Sequence, residues 1–474
     1  MSVATDKVII TAEVAGRNIV LGTIEVTLDA RMDDSIYQGM EKCSHKLQLE
    51  MFDVIDTYLQ HTVAREWKNK GRKERQIVTS NGWVLYKRRV YKDSEGQWRR
   101  PLDEMLELAS KAHYSLSVKE KAGYLVSELP YRQAASVLSW LVGTDISHMT
   151  TGRLMLKIGQ SLNAEEEEKQ KGLFERGEEI EAGKTPAEIL YGESDGVWVP
   201  LQREAKRKAE VRVGILYTGK KTVAVGRKTL ENKVVVTKIV KNSQEWQETM
   251  LRTAYENYDL NMTTQMIVGG DGGSWVSRSF DLLSLPREFV LDRFHLYRDA
   301  RRAFGFTAQT DAWIHKIRTE GLGSVREDML AAVSKAPPNQ AERIRRFIQY
   351  LVNNQDGLMD PDCRAHLTPG FHHLGAIEGN VDKLVVRRLK GRGRSWSLAG
   401  LKAMLAVCRH REDLKHGAFT PYEKKLKVSP SKVGKVKQDK GEWLQAGVPS
   451  FYSSHNNRPW AKVLRESIHP SGVL

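Results

Sequence analysis

Tyr191-Gly-Glu-Ser-Asp-Gly-Val-Trp-Val199 and Met266-Ile-Val-Gly-Gly-Asp-Gly272 decide the reading of this chain. Each is an apolar, strand-forming run that carries an aspartate, Asp195 inside the first and Asp271 closing the second. A third run, Glu288-Phe-Val-Leu291, is followed at once by Asp292. Farther on, Gly375-Ala-Ile-Glu-Gly-Asn380 sets Glu378 just ahead of a basic stretch. Buried strands that end in carboxylates can bring distant acids to one place.

Working outward, strand-like runs at 196–201, 209–217 and 233–240 precede a helical segment at about 243–257. Strands at 265–268 and 288–291, with a short helix between them, lead into a helix over 295–304. Three strands, a helix, a strand, a helix, a strand and a helix is the order of an α/β ribonuclease-H-like mixed-sheet catalytic domain, here 188–410, although other α/β folds share it. Residues 307–370 read as a helical insertion before the last acid. The three Cys lack metal-type spacing.

Upstream, alternation over 7–29 predicts a β-hairpin turning near Gly16-Arg17-Asn18, and helical spacing runs through 33–70. Asn81-Gly82 predicts a type I′ turn in a second hairpin. Residues 1–100 thus form a hairpin and helix region. Residues 101–165 read as helical, with Pro130 at a helix start and a Gly143-Thr144 turn, a helix-turn-helix-like DNA-binding domain. Its exposed side chains would be Arg132, His148, Thr151 and Arg153. An ordinary packed helix pair gives the same pattern. The acidic stretch over 166–187 reads as a linker or solvated helix, and 411–474 as a basic tail with a flexible arm at Lys424–Lys440.

The chain has 474 residues and a formal charge of +15. A basic surface favours polyanions through counterion release. Cys43, Cys363 and Cys408 are far apart and odd in number, which predicts a reducing compartment and no disulfide framework. The amino terminus does not read as a signal peptide and no apolar run is long enough to span a bilayer, so a cytoplasmic, nucleoid-associated protein with no membrane partner is expected.

Phosphodiester transfer needs an activated nucleophile and a stabilised leaving oxygen, which two Mg²⁺ or Mn²⁺ ions about 4 Å apart supply. Such hard cations prefer carboxylate oxygens. Asp195, Asp271 and Glu378 are the candidate catalytic and metal-ligating set, with Asp195 bridging. Glu193 shares the face of Asp195 and is an alternative ligand. Asp292 and His295 form a second pair that either contacts the reacting phosphate or is a structural hydrogen bond. Arg387, Arg388, Lys390, Arg392 and Arg394 follow Glu378 and would hold a strand against the metals. Trp396 either stacks on an unpaired base or packs in the core.

Four stretches carry a family likeness: Tyr86-Lys-Arg-Arg-Val-Tyr91 with Pro101-Leu-Asp-Glu104; Ser194-Asp-Gly-Val-Trp-Val199; Gly270-Asp-Gly-Gly-Ser-Trp275 with Leu291-Asp-Arg-Phe-His295; and Ile377-Glu-Gly-Asn380 with Arg387 to Trp396. In this order, over about residues 70–410, they resemble bacterial insertion-sequence transposases of the ISLre type, in the Mutator-like group of acid-triad (DDE) enzymes. The resemblance implies metal-dependent cleavage and strand transfer of the element's own DNA ends, with the family's acids falling on Asp195, Asp271 and Glu378. It implies double-stranded DNA partners, namely terminal inverted repeats and target DNA, and a homodimer or higher oligomer on DNA. Where that group often has Cys and His, this chain has Asp292 and His295. The competing expectations are a nuclease or resolvase of the same fold that cuts without joining, and an inactive DNA-binding derivative.

Overall fold

Alternating apolar residues pair Thr5–Val14 (β1) with Arg17–Thr27 (β2) as an antiparallel hairpin. Leu21, Ile24 and Val26 bury their face against Cys43 of the helix Met32–His61 (α1). The helical spacing read as far as residue 70 stops at His61, and Lys68–Thr79 (β3) opens a sheet with Gly82–Lys92 (β4) and a short Trp98–Arg99 (β5), in the order β3-β4-β5. Thr79 pairs with Gly82 across Ser80 and Asn81, so the hairpin forms but its turn is not the expected type I′: Gly82 is left-handed at φ 80° while Asn81 is not. In this computed structural model residues 5–421 are described, apart from 15, 28–31, 110, 365–370, 373 and 392.

Pro101–Met105 (α2), Leu116–Glu128 (α3), Tyr131–Val142 (α4) and His148–Arg176 (α5) follow. Gly143 ends α4 at φ 61°, and the Ser147 hydroxyl accepts the Thr150 N–H at 3.2 Å, capping α5. The two helices and their turn stand where the sequence placed them, and Arg132, His148 and Arg153 are exposed. Thr151 is not: it is 0% exposed and its hydroxyl donates to the Ser147 carbonyl, so it cannot read DNA. Of the two readings of the acidic stretch, linker and solvated helix, the helix holds as far as Arg176, the end of α5, where Glu165 pairs with Lys169 at 2.9 Å.

The chain divides into two units, one from Met1–Leu162 with His410–Glu423, the other built on Asn163–Arg409. The start of the expected tail therefore belongs to the first unit. Arg411–His416 (α15, after the helices named below) buries Leu414 beside Gly123 of α3. The expected flexible arm at Lys424–Lys440 lies outside the described residues.

The second unit begins with Thr185–Pro186 (β6) and is built around Ile189–Pro200 (β7), Lys208–Tyr217 (β8), Val234–Lys238 (β11), Gln265–Gly270 (β13) and Arg287–Leu291 (β14). These form one five-stranded sheet in the order β11-β8-β7-β13-β14. β8 runs antiparallel to both β11 and β7, and β13 is parallel to both β7 and β14. A separate hairpin, Gly219–Ala224 (β9) with Arg227–Glu231 (β10), interrupts the path from β8 to β11. Ser243–Asn257 (α6) buries Trp246, Met250 and Ala254 on one sheet face with Leu190, Leu216, Met266 and Phe280. Tyr258–Asp259 (β12) pairs with β6, and Ser274–Ser277 (α7) lies between β13 and β14.

Arg293–Phe304 (α8), Ala308–Glu320 (α9), Arg326–Lys335 (α10) and Pro338–Asn353 (α11) share a second core of Leu296, Ile314, Phe347 and Leu351. The last three are the expected insertion. Ile377–Val381 (α12) continues through a π-helical turn, Asp382–Val386, into Arg387–Leu389 (α13), and Leu398–Arg409 (α14) closes the unit. The fold is therefore mixed α/β, with its main sheet covered by helices. Among the described residues no helix is long and apolar enough to cross a membrane.

Candidate active site

The register of three adjacent strands sets the site. Gly269 of β13 pairs with Glu193 of β7 and with Val290 of β14, and Gly270 pairs with Leu291. Counting on by residue, Asp195, Asp271 and Asp292 stand at one level across the sheet, on strands about 4.8 Å apart. The Asp292 N–H donates to the Gly270 carbonyl at 2.8 Å, carrying the β13–β14 ladder one step past the last paired strand residues.

Asp271 sits on a tight loop. Its Oδ1 accepts the Gly273 N–H at 2.9 Å, and its carbonyl accepts the Tyr350 hydroxyl of α11 at 2.8 Å. Gly272 has φ 81°, and a Cβ there would meet the Asn354 side chain at 2.4 Å. The loop is thus held by the insertion on one side and needs glycine for its turn. Tyr350 carries no signal in the sequence, since a tyrosine in an amphipathic helix reads as core.

Glu378 arrives from the first turn of α12, and Glu193 controls that arrival. Glu193 is 1% exposed. Its carboxylate accepts the N–H groups of Gly375 at 2.8 Å, Ala376 at 3.2 Å and Ile377 at 3.1 Å, and the Tyr217 hydroxyl at 2.8 Å. A carboxylate so occupied at a helix start is an anchor. As an alternative ligand Glu193 has little left to offer. The same-face spacing that suggested it was correct, but the partner is backbone.

Asp292 caps α8. Its Oδ2 accepts both the His295 N–H at 2.9 Å and the ring Nδ1 at 2.8 Å. Burial pushes the Asp292 carboxyl up, but the hydrogen bonds from His295 outweigh it and hold it below the usual range. The same bond raises the His295 pKa, opposed by burial. From this hydrogen-bond pattern Nδ1 carries the proton in the neutral ring, leaving the Nε2 lone pair toward Glu378 Oε1, 3.7 Å away. Of the two readings of the Asp292 and His295 pair, the hydrogen bond is formed.

Asp195 accepts the adjacent Gly196 N–H at 2.7 Å. Its carboxyl is pushed up to about 6, first by burial and then by the charges of Glu378 and Asp271, with the Gly196 N–H and His295 opposing. Asp195 thus feels both other acids of the expected set. Among the described residues, the group whose ligand atoms all lie within 4.8 Å of one another is Asp292, His295 and Glu378, which takes in Glu378 but not Asp195 or Asp271 of the expected set. A buried Asp195 carboxyl pushed up in part by two neighbouring acids, one of them partly exposed, belongs to a donor set suited to a hard divalent cation. The Asp292–His295 hydrogen bond is the outer support that metal-bound imidazoles commonly have.

The basic stretch after Glu378 is only partly a surface. Arg387 is exposed and pairs with Asp382, and Lys390 is exposed. Arg388 is buried, its guanidinium 5.6 Å from the Trp396 ring centroid. Arg394 donates to the carbonyls of Arg387 and Arg388, tying down a helix end. Trp396 is 8% exposed and its Nε1 donates to the Leu389 carbonyl at 2.9 Å. Arg388 and Trp396 are therefore core residues, not strand-holding or base-stacking groups, and the Arg394 guanidinium is spent on backbone. Arg392 lies outside the described residues. The expectation failed because basic residues near a helix end satisfy carbonyls as readily as phosphates.

A relative from Streptococcus gallolyticus, described as "UPF0236 protein in vanSb 3'region", is 25% identical over 441 residues, covering 90% of each chain. A model of the uncharacterised protein family UPF0236 matches residues 27–420, which takes in both units and every site residue named above. By that match the chain belongs to the UPF0236 family.

Proposed function

We propose that this chain is a DNA transposase of the acid-triad kind, resembling the ISLre type, that cleaves and joins element ends with divalent metal. The observation that carries the reading is the register that sets Asp195 and Asp271 at one level on neighbouring strands, with the charges of Asp271 and Glu378 acting on Asp195. The sheet order β11-β8-β7-β13-β14, antiparallel then parallel, supports a ribonuclease-H-like domain. So does the helical insertion ahead of Glu378.

Asp195, Asp271 and Glu378 would hold two Mg²⁺ or Mn²⁺ ions, with His295 Nε2 beside them. Such ions activate a water or a 3′ hydroxyl and stabilise the leaving oxygen. The chain supplies the rest. Glu193 fixes the helix that carries Glu378, and Tyr350 fixes the loop that carries Asp271. Asp292 sets the His295 ring so that Nε2 can hold or release a proton facing the acids. Arg132, His148 and Arg153 are exposed in the first unit and suited to DNA contacts. Joining two ends calls for at least two copies of the chain on DNA.

The test is cleavage and strand transfer with purified protein, Mg²⁺ or Mn²⁺, and DNA carrying the terminal repeats that flank the coding region. Asp195→Asn is expected to lower both by at least about 10³-fold, the scale of losing one essential group, while DNA binding persists. Equal activity in the variant overturns the proposal. Cleavage without joining makes the chain a nuclease or resolvase, and metal-independent binding without cleavage makes it a DNA-binding derivative.

A further inference from the structure

The hairpin β9–β10 is not used by the site described above. It leaves the sheet at Tyr217, the end of β8, and returns at Glu231, just before β11. Its sequence, Gly219-Lys-Lys-Thr-Val-Ala-Val-Gly-Arg-Lys-Thr-Leu-Glu231, carries four cations and one acid. Lys221, Arg227 and Lys228 are exposed and form no ion pair among the described residues. The turn residue Val225 is wholly exposed. Three unpaired cations on one short hairpin repel one another and gain nothing within the fold.

The base of the hairpin lies toward the acids. Tyr217 pairs with Tyr191 in β7, and its hydroxyl bonds Glu193 on the sheet face that carries Asp195. Tyr191 precedes Asp195 by four residues (195 − 191 = 4), about 13 Å of strand. Lys220 sits with its Nζ 5.9 Å from the Tyr217 ring centroid. Its ammonium pKa is lowered, chiefly by burial, with Glu193 opposing and Lys228 and Arg293 adding, so both the hairpin and the start of α8 bring positive charge near it.

We infer that β9–β10 is a phosphate-gripping arm that holds the backbone of duplex DNA several nucleotides away from the bond cut at Asp195, Asp271 and Glu378. This rests on the catalytic reading for its substrate. One strand of B-DNA advances 3.4 Å per phosphate. The hairpin base, about 13 Å from Asp195 along β7, therefore falls about four phosphates from the reacting link. Cations without counterions suit a polyanion whose own counterions are released on binding. An anionic bilayer is the less favoured occupant, because the turn offers only a small valine and lacks the aromatic or leucine face that interfacial segments bury.

The test is the salt dependence of binding of the full chain to a 30-base-pair DNA duplex in EDTA, where no cutting intervenes. Replacing Lys221, Arg227 and Lys228 together by alanine is expected to reduce the slope of log K against log salt by about 2 to 3, at about 0.9 per phosphate contact. Lys221→Arg with Lys228→Arg keeps the charge and is expected to keep the slope. An unchanged slope in the triple variant overturns the assignment, as does a slope that falls equally in the arginine variant. Loss of binding to phosphatidylserine vesicles with the DNA slope unchanged makes the arm a membrane contact and also overturns it. Cleavage by the unaltered chain in Mn²⁺ is scored separately. A lowered slope in a chain that never cuts supports the arm and sinks only the catalytic reading.

Discussion

Glu193 Oε2 accepts the backbone N–H of Ile377 at 3.1 Å, and through this bond the strand that bears Asp195 holds the helix that bears Glu378. The two acids are 183 residues apart (378 − 195) and belong to a strand and a helix with no local reason to meet. A buried carboxylate facing three N–H groups at the start of α12 supplies that reason. Glu193→Ala leaves those donors and the Tyr217 hydroxyl without their acceptor. The expected result is a 10- to 100-fold loss of Mn²⁺ affinity, the usual scale for outer-shell support, with far-ultraviolet circular dichroism unchanged. Glu193→Gln, which keeps one acceptor oxygen, is expected to fall between. If calorimetry finds Mn²⁺ affinity unaltered in Glu193→Ala, the residue is only a core hydrogen bond.

Asp195 makes stability depend on pH in a defined direction. Its folded pKa, about 6, lies above the ordinary 3.8, so the folded state binds the proton more tightly than the unfolded one. The resulting stabilisation is present below pH 3.8 and is lost as pH rises through about 6. At pH 7.5 without metal, Asp195→Asn removes the repulsion and is expected to stabilise the second unit by about 1–2 kcal/mol. Mn²⁺ should raise the melting temperature of the natural chain at pH 7.5 and do so far less in the variant. A variant less stable than the natural chain at that pH contradicts the crowded-carboxylate account.

The sheet was readable because its strands are largely apolar runs, with Asp195 inside one and Asp271 and Asp292 directly after two others. The Asp195, Asp271 and Asp292 level follows directly from the register. What the sequence hid was where polar groups spend their bonds. Arg388, Arg394 and Trp396 look like a nucleic-acid surface in one dimension, yet their bonds go to carbonyls or their side chains are buried. Thr151 occupies the buried side of α5, where its hydroxyl bonds the Ser147 carbonyl. The β9–β10 hairpin passed unread because short, lysine-rich strands have weak β-propensity and no buried face to give alternation.

His295 and Asp292 make a prediction that needs no substrate. The hydrogen bond that the ring donates to Asp292 is the largest cause of the raised His295 pKa. In Asp292→Asn the charge is gone and the amide can turn either group toward Nδ1, so the imidazole pKa is expected to fall. Nuclear magnetic resonance titration of the His295 ring protons reads this directly. Mn²⁺ added at pH 7.5 should broaden the same ring signals in the natural chain. A His295 pKa unmoved by Asp292→Asn removes the pair from the site.

The motif Tyr86-Lys-Arg-Arg-Val-Tyr91 with Pro101-Leu-Asp-Glu104 serves the fold of the first unit. Asp103 is 2% exposed and accepts from Arg88 Nε at 2.9 Å, the Tyr86 hydroxyl at 2.9 Å and Arg75. Arg75 and Arg88 are themselves buried and complete their bonding on the carbonyls of Ala109, Ala112 and Lys73. Removing Asp103 strands two guanidinium charges away from water. Asp103→Ala is therefore expected to destabilise the unit by about 3–5 kcal/mol, as breaking a buried ion pair does. The neighbouring Glu104 offers the control, since its pair with Arg99 is exposed and its loss should cost under about 1 kcal/mol. Urea unfolding read by hydrogen exchange at the β3 and β4 amides separates the two. Equal, small losses for Asp103→Ala and Glu104→Ala would show that the network contributes little, and the motif would then need a functional explanation.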